Sequence, residues 1–339
     1  MPQITFIAHT LTPLFISGAD QTTAELRPPT FRGLMRYWYR ALTGSLVGTD
    51  TNGLTTVIEA ETALFGANDT GSAVSIRVSE PSTTPREFTE KISIPQGGKW
   101  QATGKGYLLW SMAKSGKAER GNLKPARWYF PSNTSFQVTL STRGNNGTKL
   151  RQAEAAFWLL THLGSVGSRS RRCAGSITVQ PVHPGSTTFP FDLPEDAQAL
   201  KLQIEQGIKD ARAFCHLNYR SVKDARFDVL TPDACHIWIL QDEQPWSNPE
   251  IAMKEIGERL QDYRRMIPIH QRKIFGLPLQ TFNGRRASPL LLRIAELRNN
   301  KYVGIAVLFK TMGSGICMED YTIFDKWPDE FEGTLEVAL

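Results

Sequence analysis

"ELRPPTFRGLMRYWYRALTG", residues 25–44, places two prolines before a run with helical spacing. Thr30 reads as the cap of a helix from Phe31 to Leu42, since a threonine side chain can accept from the unpaired N–H groups of a first turn. At about 100° per residue, Phe31, Leu34, Met35, Trp38, Ala41 and Leu42 share one arc, the face a core would cover. Arg32, Arg36 and Arg40 share another, drifting by only about 40° between members. Arginine in a first turn is unfavourable, because the helix dipole already places about half a positive charge there. Such a stripe calls for an external anion, unless it is a solvated face with Arg32 paired to Glu25.

Upstream, "ITFIAHTLTPLFI" alternates as a first strand, with Ile4, Phe6 and Ala8 on one face. Downstream, "VIEAETALFG" reads as a short helix closed by Gly66, and "AVSIRVSE" and "TSFQVTLST" as strands. Between those strands, residues 85–130 are rich in Gly, Lys and scattered aromatics and read as an insertion lying over the domain. A strong helix, "KLRQAEAAFWLLTHLG", and the strand "SITVQPV" follow. The order β-α-(α)-β-β-α-β is the ferredoxin-like order, shared with RRM-type RNA binders.

A chain of 339 residues is long for one core and predicts two domains. "VHPGSTTFPFDLPED", 182–196, is the expected boundary, giving residues 1–185 and 186–339. The second part shows a helix near 196–215, the strand "CHIWILQ", a helix at 249–265 and the strands "PLLLRIAEL" and "YVGIAVLFK". It fits a degenerate second copy of the first, so the expected class is α+β with two ferredoxin-like domains in tandem.

The net charge of +6, from 39 Lys and Arg against 33 Asp and Glu, permits an acidic partner without demanding one. Placement says more. Arginine concentrates at 27–40, in "SRSRR" at 168–172 and in "GRRASPLLLR" at 284–293. No run of eighteen apolar residues and no signal-peptide pattern occurs, so no membrane partner and a cytoplasmic location are expected. Cys173, Cys215, Cys235 and Cys317 lack CxxC spacing, and the pairs Cys215-His216 and Cys235-His236 make awkward ligand geometry on strands. Neither metal nor cofactor is expected.

"GSVGSRSRRCAG" follows a helix and precedes a strand, the reverse of Walker and Rossmann loops, and it has no Walker lysine. Nucleotide cofactors are therefore disfavoured. Gly164, Gly167 and Gly175 would let the backbone approach a ligand, while Arg169, Arg171 and Arg172 suit phosphate or base stacking. A solvated turn is the alternative. If one sheet carries both this loop and the first helix, the two arginine sites form a groove for a polyanion, with Tyr37, Trp38 or Tyr39 placed to stack on bases. Catalytic signals are weaker. His162 could act as acid or base but reads better as a capping or core histidine, and Asp20 reads better as a turn residue than as a metal ligand.

"TPLFISGADQ", "AELRPPTFRGLMRYWYRAL", "ALFG", "LTHLGSVGSRSRRCAGSI" and "FGLP…RRASPLLLRI" together resemble the RAMP superfamily of CRISPR proteins. Within it they are similar to the family of the first-named subunit of type III-B (Cmr) effector complexes, from residue 4 to about 310. The resemblance implies two ferredoxin-like domains and a non-catalytic subunit near the 3′ part of the guide RNA (crRNA) that helps capture target RNA. Its partners would be these RNAs and other RAMP and Cmr-type subunits. Carried over by motif, the RNA-facing residues would be Arg27, Arg32, Arg36 and Arg40, then Arg169, Arg171 and Arg172 with Gly164 and Gly167. Arg285 and Arg286 match a family segment that meets RNA or a neighbouring subunit. Cys173-Ala174 departs from the more glycine-rich family loop. The alternative, a stand-alone RAMP endoribonuclease processing guide precursors, would need a histidine near the first helix, and "TFRGLMRYWYRAL" has none.

Overall fold

Two four-stranded antiparallel sheets organise the chain in a computed structural model. It describes residues 2–339 apart from 21–22, 97–98, 117–122, 145, 216–221, 223, 280–281 and 314. The first half runs β1 (Gln3–Thr10), α1 (Pro28–Val47), α2 (Thr51–Phe65) and β2 (Val74–Val78). An excursion follows with β3 (Arg86–Glu87), β4 (Ser93–Gln96), β5 (Lys99–Ala102), α3 (Gly104–Leu109) and β6 (Trp128–Tyr129). Then come β7 (Ser135–Thr142), α4 (Gly147–Leu163) and β8 (Ile177–Pro181). The sheet order is β2-β7-β1-β8, and Ile4, Phe6 and Ala8 of β1 are buried as their alternation requires.

The second half runs α5 (Ala197–Phe214), β9 (Cys235–Leu240), α6 (Pro249–Met266), β10 (Leu277–Leu279), β11 (Phe282–Arg286), β12 (Leu290–Leu297), β13 (Lys301–Phe309) and β14 (Leu335–Val337). Its main sheet is ordered β12-β13-β9-β14. Counted within each half, both sheets follow the order second, third, first, fourth. Short 3₁₀ turns, Met318–Phe324 and Pro328–Glu330, stand between β13 and β14 where the first half has a long helix.

The second sheet is covered on both faces. Ile237, Ile239, Val303, Ile305 and Val307 join the core that contains Phe6, Trp38 and Trp158, whereas Trp238, Leu240, Leu292, Ala306 and Leu308 pack with α6. One apolar core therefore runs across the expected 185/186 boundary. The excursion does not lie over the first half alone. Its α3 crosses α6, and Lys105 pairs with Glu90 and Glu250, each at 2.5 Å.

The first helix also differs from its sequence reading. It starts at Pro28, three residues early, with Arg27 as an N-cap that makes no side-chain cap bond. Proline suits this position because a first-turn N–H has no intrahelical partner to lose. Thr30 is thus inside the helix and caps nothing. The chain then turns at Gly48, φ +92°, whose N–H returns to Gly44 O.

Candidate nucleic-acid interface

The Gly/Arg loop is held by the chain's own backbone. Ser168 N donates to Phe15 O at 2.7 Å, Val166 N to Gly175 O at 2.8 Å and Cys173 N to Leu292 O at 2.8 Å. A Cβ on Gly167 (φ +85°) would lie 2.3 Å from Phe15 O, and one on Gly164 would lie 2.4 Å from Trp38 Nε1. Close approach to the chain's own backbone and to the Trp38 indole requires glycine at both positions. The departure at Cys173-Ala174 is also internal, since both residues are buried.

The loop's arginines leave this rigid base for the second half and the excursion. Arg169 Nε donates to Leu108 O at 2.8 Å, and Arg172 reaches Ser288 Oγ at 3.1 Å and Phe275 O at 3.4 Å. Arg171 Nη1 donates to Ser288 O at 2.6 Å, and its Nη2 lies 3.4 Å from Asp228 Oδ2. Burial, then the neighbouring Arg172 charge, pushes Arg169 down to about 10; burial lowers Arg172 as well. These are not side chains of a solvated turn.

Together they line an open cleft of about 520 Å³ with Arg264 and Arg286. Arg264 Nη1 donates to the Tyr107 hydroxyl at 3.1 Å, and Arg286 Nη2 to the Tyr321 hydroxyl at 2.6 Å. No Asp or Glu is among the described residues of the lining, and only Arg171 of the five has a carboxylate within ion-pair distance among the described residues. Trp110, 58% exposed, stands at the wall. Guanidiniums fixed by carbonyls and hydroxyls keep their charge for an anion, and an exposed indole offers a stacking face.

The α1 stripe divides. Arg36 Nε donates to the carboxylate of Glu61 on α2, and Arg40 Nη1 lies 3.4 Å from the other oxygen. Glu61 is 4% exposed, so a buried acid of this chain neutralises part of the stripe. Arg32 has no ion-pair partner among the described residues, and Glu25 faces Arg27 at 3.8 Å, not Arg32. Arg27 and Arg32 line neither the cleft nor its neighbour. Arg40 opens on a second depression with Tyr37 and Asp228, adjoining the cleft through Arg171. Trp38 and Tyr39 are 1% exposed and cannot meet a base; Tyr37 is half-buried and lines the second depression. Burial, then the Asp228 charge, holds the Tyr37 hydroxyl well above its usual range, so it donates to Asp228 Oδ2 at 2.6 Å.

Arg286 joins the cleft, while Arg285 is exposed beside it on β11. Arg264 was missed because a basic residue in a last helical turn reads as a complement to the dipole. Arg293, from the same basic segment, is buried at the junction of the sheets, donating to Ile177 O at 2.9 Å; burial lowers it to about 9. His162 stacks on Trp158 with centroids 4.2 Å apart, and burial pushes it to about 3, which makes it a neutral packing residue. Asp20 is exposed in its loop. His216 lies outside the described residues, and His236 faces Glu336 at 3.3 Å. No group of metal-ligating side chains occurs among the described residues, and no helix is long and apolar enough to cross a membrane.

The family model of the RAMP superfamily matches residues 7–178. The CRISPR system Cmr subunit Cmr1-1 of Pyrococcus furiosus is 30% identical over 305 residues, 85% of this chain and 81% of that protein. Cmr1-2 of the same organism is 30% identical over 193 residues, 53% of this chain and 96% of that one. Among solved structures, the apo crystal structure of Cmr1 from Pyrococcus furiosus aligns with a TM-score of 0.69 at 22% identity, covering 100% of this chain and 99% of that one. A chain of the type III-B Cmr-beta complex bound to cognate target RNA aligns at 0.59 and 14% identity, covering 97% and 100%. On the family match and on identity across most of both chains, this chain belongs to the RAMP superfamily, among its Cmr1-type members.

Proposed function

We propose that the chain is a non-catalytic RNA-binding subunit of a type III-B CRISPR ribonucleoprotein effector. It binds near the 3′ part of the guide RNA and aids capture of target RNA for antiviral defence, in the cytoplasm, with other Cmr-type subunits as neighbours. Its two ferredoxin-like domains, 1–185 and 186–339, meet at the cleft. One observation carries the reading: five guanidiniums open on one cleft with a single carboxylate partner among the described residues. Likeness to a chain found in a target-bound Cmr-beta complex supports it. Arg169, Arg171, Arg172 and Arg286 contact the strand, with Gly164 and Gly167 setting the loop that aims them. Arg27, Arg32, Arg36, Arg40 and Arg285 extend the basic surface. A nuclease role is not supported by His162, which is neutral and stacked in the protein.

The test is equilibrium binding of labelled single-stranded RNA and duplex DNA at two salt concentrations. RNA binds more tightly, and Arg286→Ala with Arg264→Ala flattens the log–log salt slope by about 0.7 for each phosphate no longer neutralised. An unchanged slope in the double variant overturns the assignment. Specific cleavage of the labelled RNA, abolished in His162→Ala, would favour the endoribonuclease instead.

A further inference from the structure

We propose that the arginine cleft captures the end of an RNA strand, holding a terminal phosphomonoester dianion rather than the singly charged backbone of a strand passing through. This rests on the RNA reading above and narrows its ligand. A groove that tracks a strand spaces its cations along the backbone. Here the cations converge. Arg172 Nη2 donates to Phe275 O at 3.4 Å, Arg264 stands over the Phe275 ring at 5.7 Å from its centroid, and Arg286 Nη1 donates to Ile274 O at 3.4 Å. Three guanidiniums from three separate elements thus meet at two adjacent residues.

They are close enough to repel one another. Burial, and beyond it the charges of Arg264 and Arg171, lower Arg172; burial, then the Arg172 charge, lowers Arg169. The chain itself does little to relieve this. Asp228 pairs with Arg171 at the edge of the group. Asp320 feels the Arg286 charge but makes no ion pair with it among the described residues, and its Oδ2 accepts from Cys317 N at 3.0 Å.

The cleft, about 520 Å³, has the size of a small-ligand pocket, so few phosphates can share the charge gathered in it. A backbone phosphodiester brings a single negative charge. A phosphomonoester brings roughly −1.5 to −2 at pH 7 and three strong acceptor oxygens. Donors for those oxygens remain. Among the described residues Arg264 spends one N–H on the Tyr107 hydroxyl, and Arg286 spends two, on the Tyr321 hydroxyl and Ile274 O. Most of the N–H groups of both forks are left over.

The experiment titrates the full chain with uridine hexamers that carry hydroxyls at both ends, a 3′-phosphate, a 5′-phosphate, or either phosphate as its methyl ester. The ester keeps the added phosphate but removes its second charge and blocks one oxygen. A phosphate at one end tightens binding about tenfold or more, the worth of one hydrogen bond to a charged group, and the ester loses that gain. The end that gains is the end the cleft takes. Arg264→Ala with Arg286→Ala removes the gain, and Arg286→Lys, which keeps the charge without the fork, reduces it. The ester comparison is made on the unaltered chain and decides the matter where the double variant does not fold. Equal affinity with and without a terminal phosphate, or a gain that the ester or the double variant keeps, overturns end capture. If the hexamers bind alike whatever their ends but all weaken in the double variant, RNA binding at the cleft stands while end capture fails. Failure of every hexamer to bind overturns both.

Discussion

A Cβ built on Gly257 of α6 would lie 2.0 Å from the carbonyl oxygen of Gly104 at the start of α3. The helices touch through backbone there, and this contact carries Tyr107, Leu108 and Trp110 to the cleft wall. Gly257→Ala is therefore expected to destabilise the protein by about 1–3 kcal/mol through overpacking. It should also weaken RNA binding, because Leu108 O no longer fixes Arg169. Thermal melting and RNA titration of the same variant check both effects.

Glu61 holds Arg36 and Arg40 in place but also cancels part of their charge. Glu61→Gln is expected to tighten RNA binding at low salt, with the gain disappearing at high salt as screening grows. It should lower stability by about 1 kcal/mol, since Arg36 and Arg40 are partly solvated. Unchanged affinity at low salt would remove α1 from the RNA surface.

His162 makes stability depend on pH. Its folded value, about 3, lies below the ordinary histidine value of 6.5, so between those limits the unfolded chain binds the extra proton. Stability falls as pH drops from about 6.5 toward 3, by up to roughly 1.4 kcal/mol per unit. His162→Gln should flatten this acid limb in denaturant titrations between pH 7 and 4. An acid limb of unchanged slope would place the linkage elsewhere.

Gly167 combines φ +85° with the close approach to Phe15 O. Gly167→Val should cost at least about 1–3 kcal/mol from backbone strain alone. Arg171→Ala should also lower the melting temperature, because it frees Ser288 O and Asp228 together. Charge and stability are thus not separable at Arg171, whereas Arg264 and Arg286, bonded mainly to tyrosine hydroxyls, report charge more cleanly.

Local patterns carried the architecture. The alternation of Ile4, Phe6 and Ala8 and the arc from Phe31 to Leu42 each depend on neighbours a few residues away, and all but Leu34, which is half-buried against the core, are buried as read. The site depended on distant pairings. Arg171 meets Ser288 across 117 residues and Tyr37 meets Asp228 across 191, separations that no periodicity encodes. Charge clustering pointed to Arg169, Arg171, Arg172 and Arg286, which the fold brings to one cleft, but it could not distinguish Arg293, which the sheet junction buries, from the exposed Arg285. Glu61 looked like an ordinary helix residue until α2 lay against α1. Even the helix start was misplaced, because a proline pair reads as a break more readily than as a first turn.

The core that crosses residues 185 and 186 limits how the cleft can respond to a ligand. Parting the two halves would separate Ile237, Val303 and Ile305 from Trp38 and Trp158 and expose apolar surface. The guanidiniums are therefore ordered when the chain folds, and little conformational entropy remains for them to lose on binding. The entropy lost on association falls mainly on the RNA. Calorimetry should accordingly show a small heat-capacity change on binding, with affinity following how readily a given strand unstacks.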